Sequence, residues 1–124
     1  MQNNNLKPKI DLKKRAYIFS LNIIKFISSS DKKDFTVQIL AKQLLRAATS
    51  IGANIIEAQA GSTRKDFTNF FTYALKSANE TKFWLGLFRD SKLADQDSAN
   101  SMLQEATELA NILASSILTL KGKK

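Results

Sequence analysis

The sequence predicts an all-α protein, an antiparallel up-down-up-down four-helix bundle that occupies residues 1–124 as one domain. Three observations lead there. Four stretches repeat apolar residues every three or four positions, the period of a helix with one buried face. Polar or glycine-bearing segments such as SSSDKKD and SKLADQDS separate them. No strand-like alternation of comparable strength competes, and four stripes joined by short turns bury one another in a bundle.

The first helix is expected over about 9–29, opened by Pro8, whose missing N–H costs no bond in a first turn. Its stripe is Leu12, Ala16, Phe19, Ile23, Phe26 and Ile27. The second runs from about 35 to 60 behind an Asp34 N-cap, with Val37, Leu40, Ala41, Leu44, Ala48, Ile51, Ile55 and Ala58 inward. Gly61 then stops it in the left-handed conformation common after helices. The third covers about 63–91, with Ser62 or Thr63 as cap and Asp66 at the positive end of its dipole. Its stripe is Phe67, Phe70 or Phe71, Ala74, Ala78, Thr81, Leu85 and Phe88. The fourth, about 96–121, carries the cleanest pattern: Ala99, Met102, Leu103, Ala106, Leu109, Ala110, Leu113, Ile117 and Leu120.

Two helices hold more apolar residues than one buried face needs. The third adds Tyr73, Phe83, Trp84 and Leu87, and the first adds Tyr17, Leu21 and Ile24. No helix of a four-helix bundle is encircled by its neighbours, so these residues point to a homo-oligomer that buries aromatics between subunits.

Composition narrows the chemistry. With 44% hydrophobic and 24% charged residues and no apolar run of membrane-spanning length, the chain reads as neither disordered nor transmembrane. The basic N-terminus lacks the apolar core and small-residue cleavage site of an export signal, so a cytoplasmic protein is expected. Absence of cysteine removes disulfides and thiolate metal sites, and absence of histidine removes the commonest general base and metal ligand. No metal or cofactor is expected.

The balance of 19 basic against 11 acidic residues gives a net charge of +8, which attracts polyanions. The predicted topology gathers most of this excess at the end holding both termini and the turn between the second and third helices. Lys7, Lys9, Lys13, Lys14, Arg15, Arg64, Lys65, Lys121, Lys123 and Lys124 stand there against Asp11, Glu57 and Asp66. Lys13, Lys14, Arg15, Arg64, Lys65, Lys121, Lys123 and Lys124 are the nucleic-acid-binding candidates, suited to phosphate backbones. Tyr17 is the only aromatic among the basic segments, so stacking on bases has little support. Non-specific contact with RNA or structured duplex is expected.

On the second helix, Gln43, Arg46, Ser50, Asn54 and Glu57 fall on one flank of the stripe when each residue turns by about 100°. A short turn near Gly61 brings Arg46 to the level of Ser77 and Glu80. Arg46, Ser50, Asn54, Glu57 and Glu80 are therefore read as a structural polar network, built on an Arg46–Glu80 ion pair. The enzymatic alternative pairs Glu57 or Glu80 with Asp66, or makes Ser50 a nucleophile. It lacks the histidines of bundle metal sites, a base for Ser50 other than a buried Lys76, and a Gly-rich phosphate loop. No catalytic residue is expected.

The stretch RAATSIGANIIEAQAGSTRKDFTNFFTYALKSANETKFWLGLF resembles the bacterial four-helix bundle family named for the 23S rRNA intervening-sequence protein. The resemblance rests on Arg46, Ser50, Ile51, Asn54, Ile55, Glu57, Asp66, Phe67, Ala74, Glu80, Thr81, Trp84 and Leu85, over about a third of the chain. Gly52 and Ala58 depart from the family pattern, which often has Pro and Gly there. The resemblance implies a bundle that assembles as a homopentamer, with no established activity. A related branch, the accessory variability proteins of diversity-generating retroelements, adds nucleic acid and a reverse transcriptase to the implied partners. The combined expectation is a non-enzymatic homo-oligomer that binds RNA or DNA through its basic end, with a protein-assembly module working through the aromatic third helix as the alternative.

Overall fold

The computed structural model describes residues 11–122 and contains four helices: α1 (Leu12–Ser28), α2 (Phe35–Ala60), α3 (Arg64–Asp90) and α4 (Gln96–Leu120). Each starts behind a side chain that accepts a bond from an otherwise unpaired N–H of the first turn. Asp11 accepts from Lys13 N, Asp34 from Val37 N, Thr63 from Asp66 N and Asp95 from Ser98 N. Asp11 corrects the expected start of the first helix, because its carboxylate caps a helix that begins at Leu12 rather than near residue 9. Pro8 lies outside the described residues.

The left-handed turn expected at Gly61 is not there. Gly61 is extended, with φ −69° and ψ 150°. What favours glycine there is space, since a Cβ would sit 3.3 Å from both the Ala58 carbonyl oxygen and the Asp66 Cβ, so that these neighbours would have to give. Among the described residues, the left-handed non-glycine residue is Lys92, at φ 61°. There Lys92 N–H reaches the Arg89 carbonyl and Leu93 N–H the Phe88 carbonyl, each at 3.2 Å, closing α3 with a Schellman motif.

Inside, Phe19, Ile23, Leu44, Ile51, Ile55, Leu85, Phe88, Leu109 and Leu113 are fully buried. On α3 the inward residue of the Phe70/Phe71 pair is Phe71. Thr81, the one buried polar side chain among the described residues, donates its hydroxyl to the Ser77 carbonyl at 2.7 Å and so enters the core satisfied. The contacts are those that successive reversals of the chain bring together. Ala16 lies against Gly52, Arg46 meets Glu80, and Arg64 meets Leu120. Phe26 packs edge-on against Phe88 at 5.5 Å, joining the far ends of α1 and α3. The α2–α3 and α3–α4 seams are extensive, whereas α1 touches α4 only sparsely.

Candidate nucleic-acid interface

The basic end is assembled from the start of α1, the α2–α3 connection and the end of α4. Arg64 joins two of these directly: its Nε and Nη2 donate to the Leu120 carbonyl at 3.2 and 2.8 Å. That carbonyl is one of the unpaired acceptors at the negative end of α4, where a guanidinium is favoured. Lys13, Lys14, Lys65 and Lys121 are exposed, and none joins an ion pair among the described residues. Lys123 and Lys124 lie outside the described residues, as do Lys7 and Lys9.

Arg15 is removed from this exposed set. Its Nε and Nη2 grip Glu105 at 2.7 and 2.8 Å in a fork, and Nη2 also reaches Glu108 at 2.5 Å. The bond to Glu105 is the main reason that its guanidinium is held protonated still more firmly than usual. The cause is position, since α1 turns Arg15 toward α4, and a cation beside two carboxylates is neutralised locally.

The polar flank of α2 divides in two. Arg46 pairs with Glu80 and with Gln43, and Glu80 also accepts the Trp84 indole N–H at 2.9 Å. The indole bond, then Arg46, holds the Glu80 carboxyl below its ordinary range. Ser50 donates to the Arg46 carbonyl at 2.7 Å and Asn54 to the Ser50 carbonyl at 2.8 Å, so both are satisfied within α2. Glu57 does not join: it is exposed and forms no ion pair with any described residue. It shares the angular flank of Arg46 but lies roughly 16 Å further along the axis, beyond side-chain reach.

Of the aromatic surface on α3, Phe83 is 59% and Tyr73 48% exposed, and Leu87 is exposed with them. Trp84 is half-buried, its ring edge-on to Phe83 at 5.0 Å. A second set of exposed apolar residues, which the sequence signalled only as the surplus on the first helix, comprises Tyr17, Leu21 and Ile24 on α1 and Leu45 and Ile56 on α2, with Tyr17 and Ile56 lining the same recess. Among the described residues, no cluster of three or more acidic, cysteine or histidine side chains could hold a metal, and no helix is long and apolar enough to cross a membrane.

The family model for the 23S rRNA-intervening sequence protein matches residues 8–115. A solved protein of unknown function from the S23 ribosomal protein family of Bacteroides thetaiotaomicron is 36% identical, with a TM-score of 0.77. The match covers 86% of this chain and 98% of that one. No curated protein matches.

Proposed function

Because this chain belongs to the 23S rRNA-intervening sequence protein family, we propose that it is a non-enzymatic, cytoplasmic homo-oligomer that binds RNA or DNA without sequence preference. The observation that supports the reading is the set of exposed cations Lys13, Lys14, Lys65 and Lys121 at one end of the bundle, none of them in an ion pair among the described residues. Arg64 adds its charge to that end while tying α3 to α4. A phosphate backbone meeting such an end releases counterions, which supplies affinity without reading bases. Assembly through Tyr73, Phe83, Trp84 and Leu87, as a pentamer in the family's manner, would repeat the basic end around a ring and multiply its contacts.

A salt titration of RNA and DNA binding tests this. Log affinity should fall linearly with log salt, and neutralising each of the four lysines should reduce that slope by about 1. Absence of binding at low salt, or unchanged affinity in the fourfold Lys→Gln variant, would reject the reading. The second reading, a protein-assembly module, draws on the exposure of Phe83 and Tyr73. Under it, Phe83→Glu would abolish capture of a protein partner such as a reverse transcriptase, and nuclease would leave that capture intact.

A further inference from the structure

We propose that the recess between α1 and α2 receives one unpaired nucleobase of a single-stranded nucleic acid, stacked on Tyr17, with the adjoining phosphates on Lys13 and Lys14. The proposal rests on the basic-end reading and sharpens it from polyanion to single strand.

The recess has a volume of about 630 Å³, within the size range of small-ligand sites, and its lining includes Lys13, Lys14, Tyr17, Gly52, Ala53 and Ile56. It exists because the residues at this crossing are small. Gly52 has no side chain, and a Cβ placed there would lie 3.5 Å from the Ala16 Cβ, so α1 and α2 approach closely with nothing bulky between them. Ala53 extends the floor, and Ile56, 50% exposed, adds an apolar wall.

Tyr17 stands beside this floor with 63% of its surface exposed, and none of the ring pairs formed among the described residues uses it. With no aromatic partner among the described residues, its ring is available to a flat one. Every base offers one, so such stacking tolerates any sequence. Ser20 and Thr49 add hydroxyls to the lining; Thr49 donates its proton to the Leu45 carbonyl at 2.7 Å and keeps acceptor capacity for a base edge.

Charge selects the occupant. Among the described residues the lining contains two lysines and no acid, and neither lysine is in an ion pair there. The nearby Asp11 carboxylate is engaged by the Lys13 backbone N–H at 3.3 Å. A flat apolar group flanked by phosphates satisfies both halves of the recess. A paired base does not, because its faces are already stacked within the duplex and extrusion costs free energy.

The test measures the full chain against a short unstructured RNA strand and the duplex made from it, at low salt, by fluorescence anisotropy. The wild type should prefer the single strand. Tyr17→Leu, which keeps an apolar side chain, and Ala53→Leu, which fills the recess, should each weaken single-strand binding about fivefold to tenfold and leave duplex binding unchanged. Tyr17→Phe should retain it. Equal binding of both RNA forms, with Tyr17→Leu altering neither, overturns the nucleobase site and leaves the basic-end reading standing. Failure of both forms to bind overturns both readings together. A fall in assembly mass for Tyr17→Leu by light scattering would mean that a second copy covers the recess, which also overturns the proposal.

Discussion

Replacing Arg15 by methionine should destabilise the bundle by about 1.5 kcal/mol while keeping the aliphatic packing of the side chain. The figure follows from geometry. Arg15 reaches Glu105 through two parallel bonds of 2.7 and 2.8 Å, with side chains only 25% and 29% exposed, so solvent screens this pair incompletely. Glu108 is bonded more closely, at 2.5 Å, but is 48% exposed and must be discounted for screening. Double-mutant cycles should therefore give a coupling of about 1 kcal/mol for Arg15 with Glu105 and about 0.3 kcal/mol with Glu108. Urea unfolding followed by circular dichroism resolves that difference, and the single variant should lose roughly 5 °C in Tm. A coupling to Glu105 below about 0.3 kcal/mol, or one to Glu108 that equals it, would refute the argument that burial rather than distance ranks the two pairs.

The same substitution separates stability from binding: Arg15→Met should leave RNA affinity within about twofold of wild type, whereas Lys14→Met lowers it and reduces the salt slope by about 1. Gly86→Ala should stabilise by about 1 kcal/mol in thermal melts, because the added Cβ meets nothing within 4 Å and removes a helix-interior glycine. Lys92→Gly should gain about 0.5–1 kcal/mol at a position whose φ of 61° penalises a Cβ, less the extra freedom of glycine in the unfolded chain. Glu80 has a carboxyl held low in the folded state, so its contribution is present above the ordinary value of 4.5 and is lost as pH falls through the lower folded value. With 37% of that side chain exposed, a few tenths of a kcal/mol are at stake, and Glu80→Gln should flatten that part of the acid unfolding profile.

What the sequence made legible was mostly local. The Asp34 and Thr63 caps and the inward stripes follow from helix period and from first-turn chemistry, which act within a few residues. The Arg46–Glu80 pair could be read across 34 residues because a single short turn fixes the level at which α3 passes α2. Arg15 could not be read in the same way. Its partner Glu105 is 90 residues away, across the seam that closes the bundle, and sequence does not say which face of α4 meets α1. Glu57 shares the angular flank of Arg46 but sits near the end of α2, out of reach of Glu80, so angular position alone does not make it part of that network. Gly61 shows that glycine after a helix can mark lack of room, while the left-handed turn falls on Lys92, and only the φ angle and the neighbouring atoms distinguish the two cases. The α1–α2 recess had no sequence signal of its own beyond small residues, Gly52 and Ala53, level with Tyr17.

The sparse contact between α1 and α4 bears on how the molecule opens. Most of what holds α1 is its seam with α2, while α2, α3 and α4 remain joined to one another by two broad seams. Amide protons of α1 should therefore exchange with solvent through a partial opening of lower free energy than global unfolding. The three remaining helices would form the slowest-exchanging unit, and Phe19 and Ile23, buried when α1 is seated, would be transiently bared to chaperones and proteases.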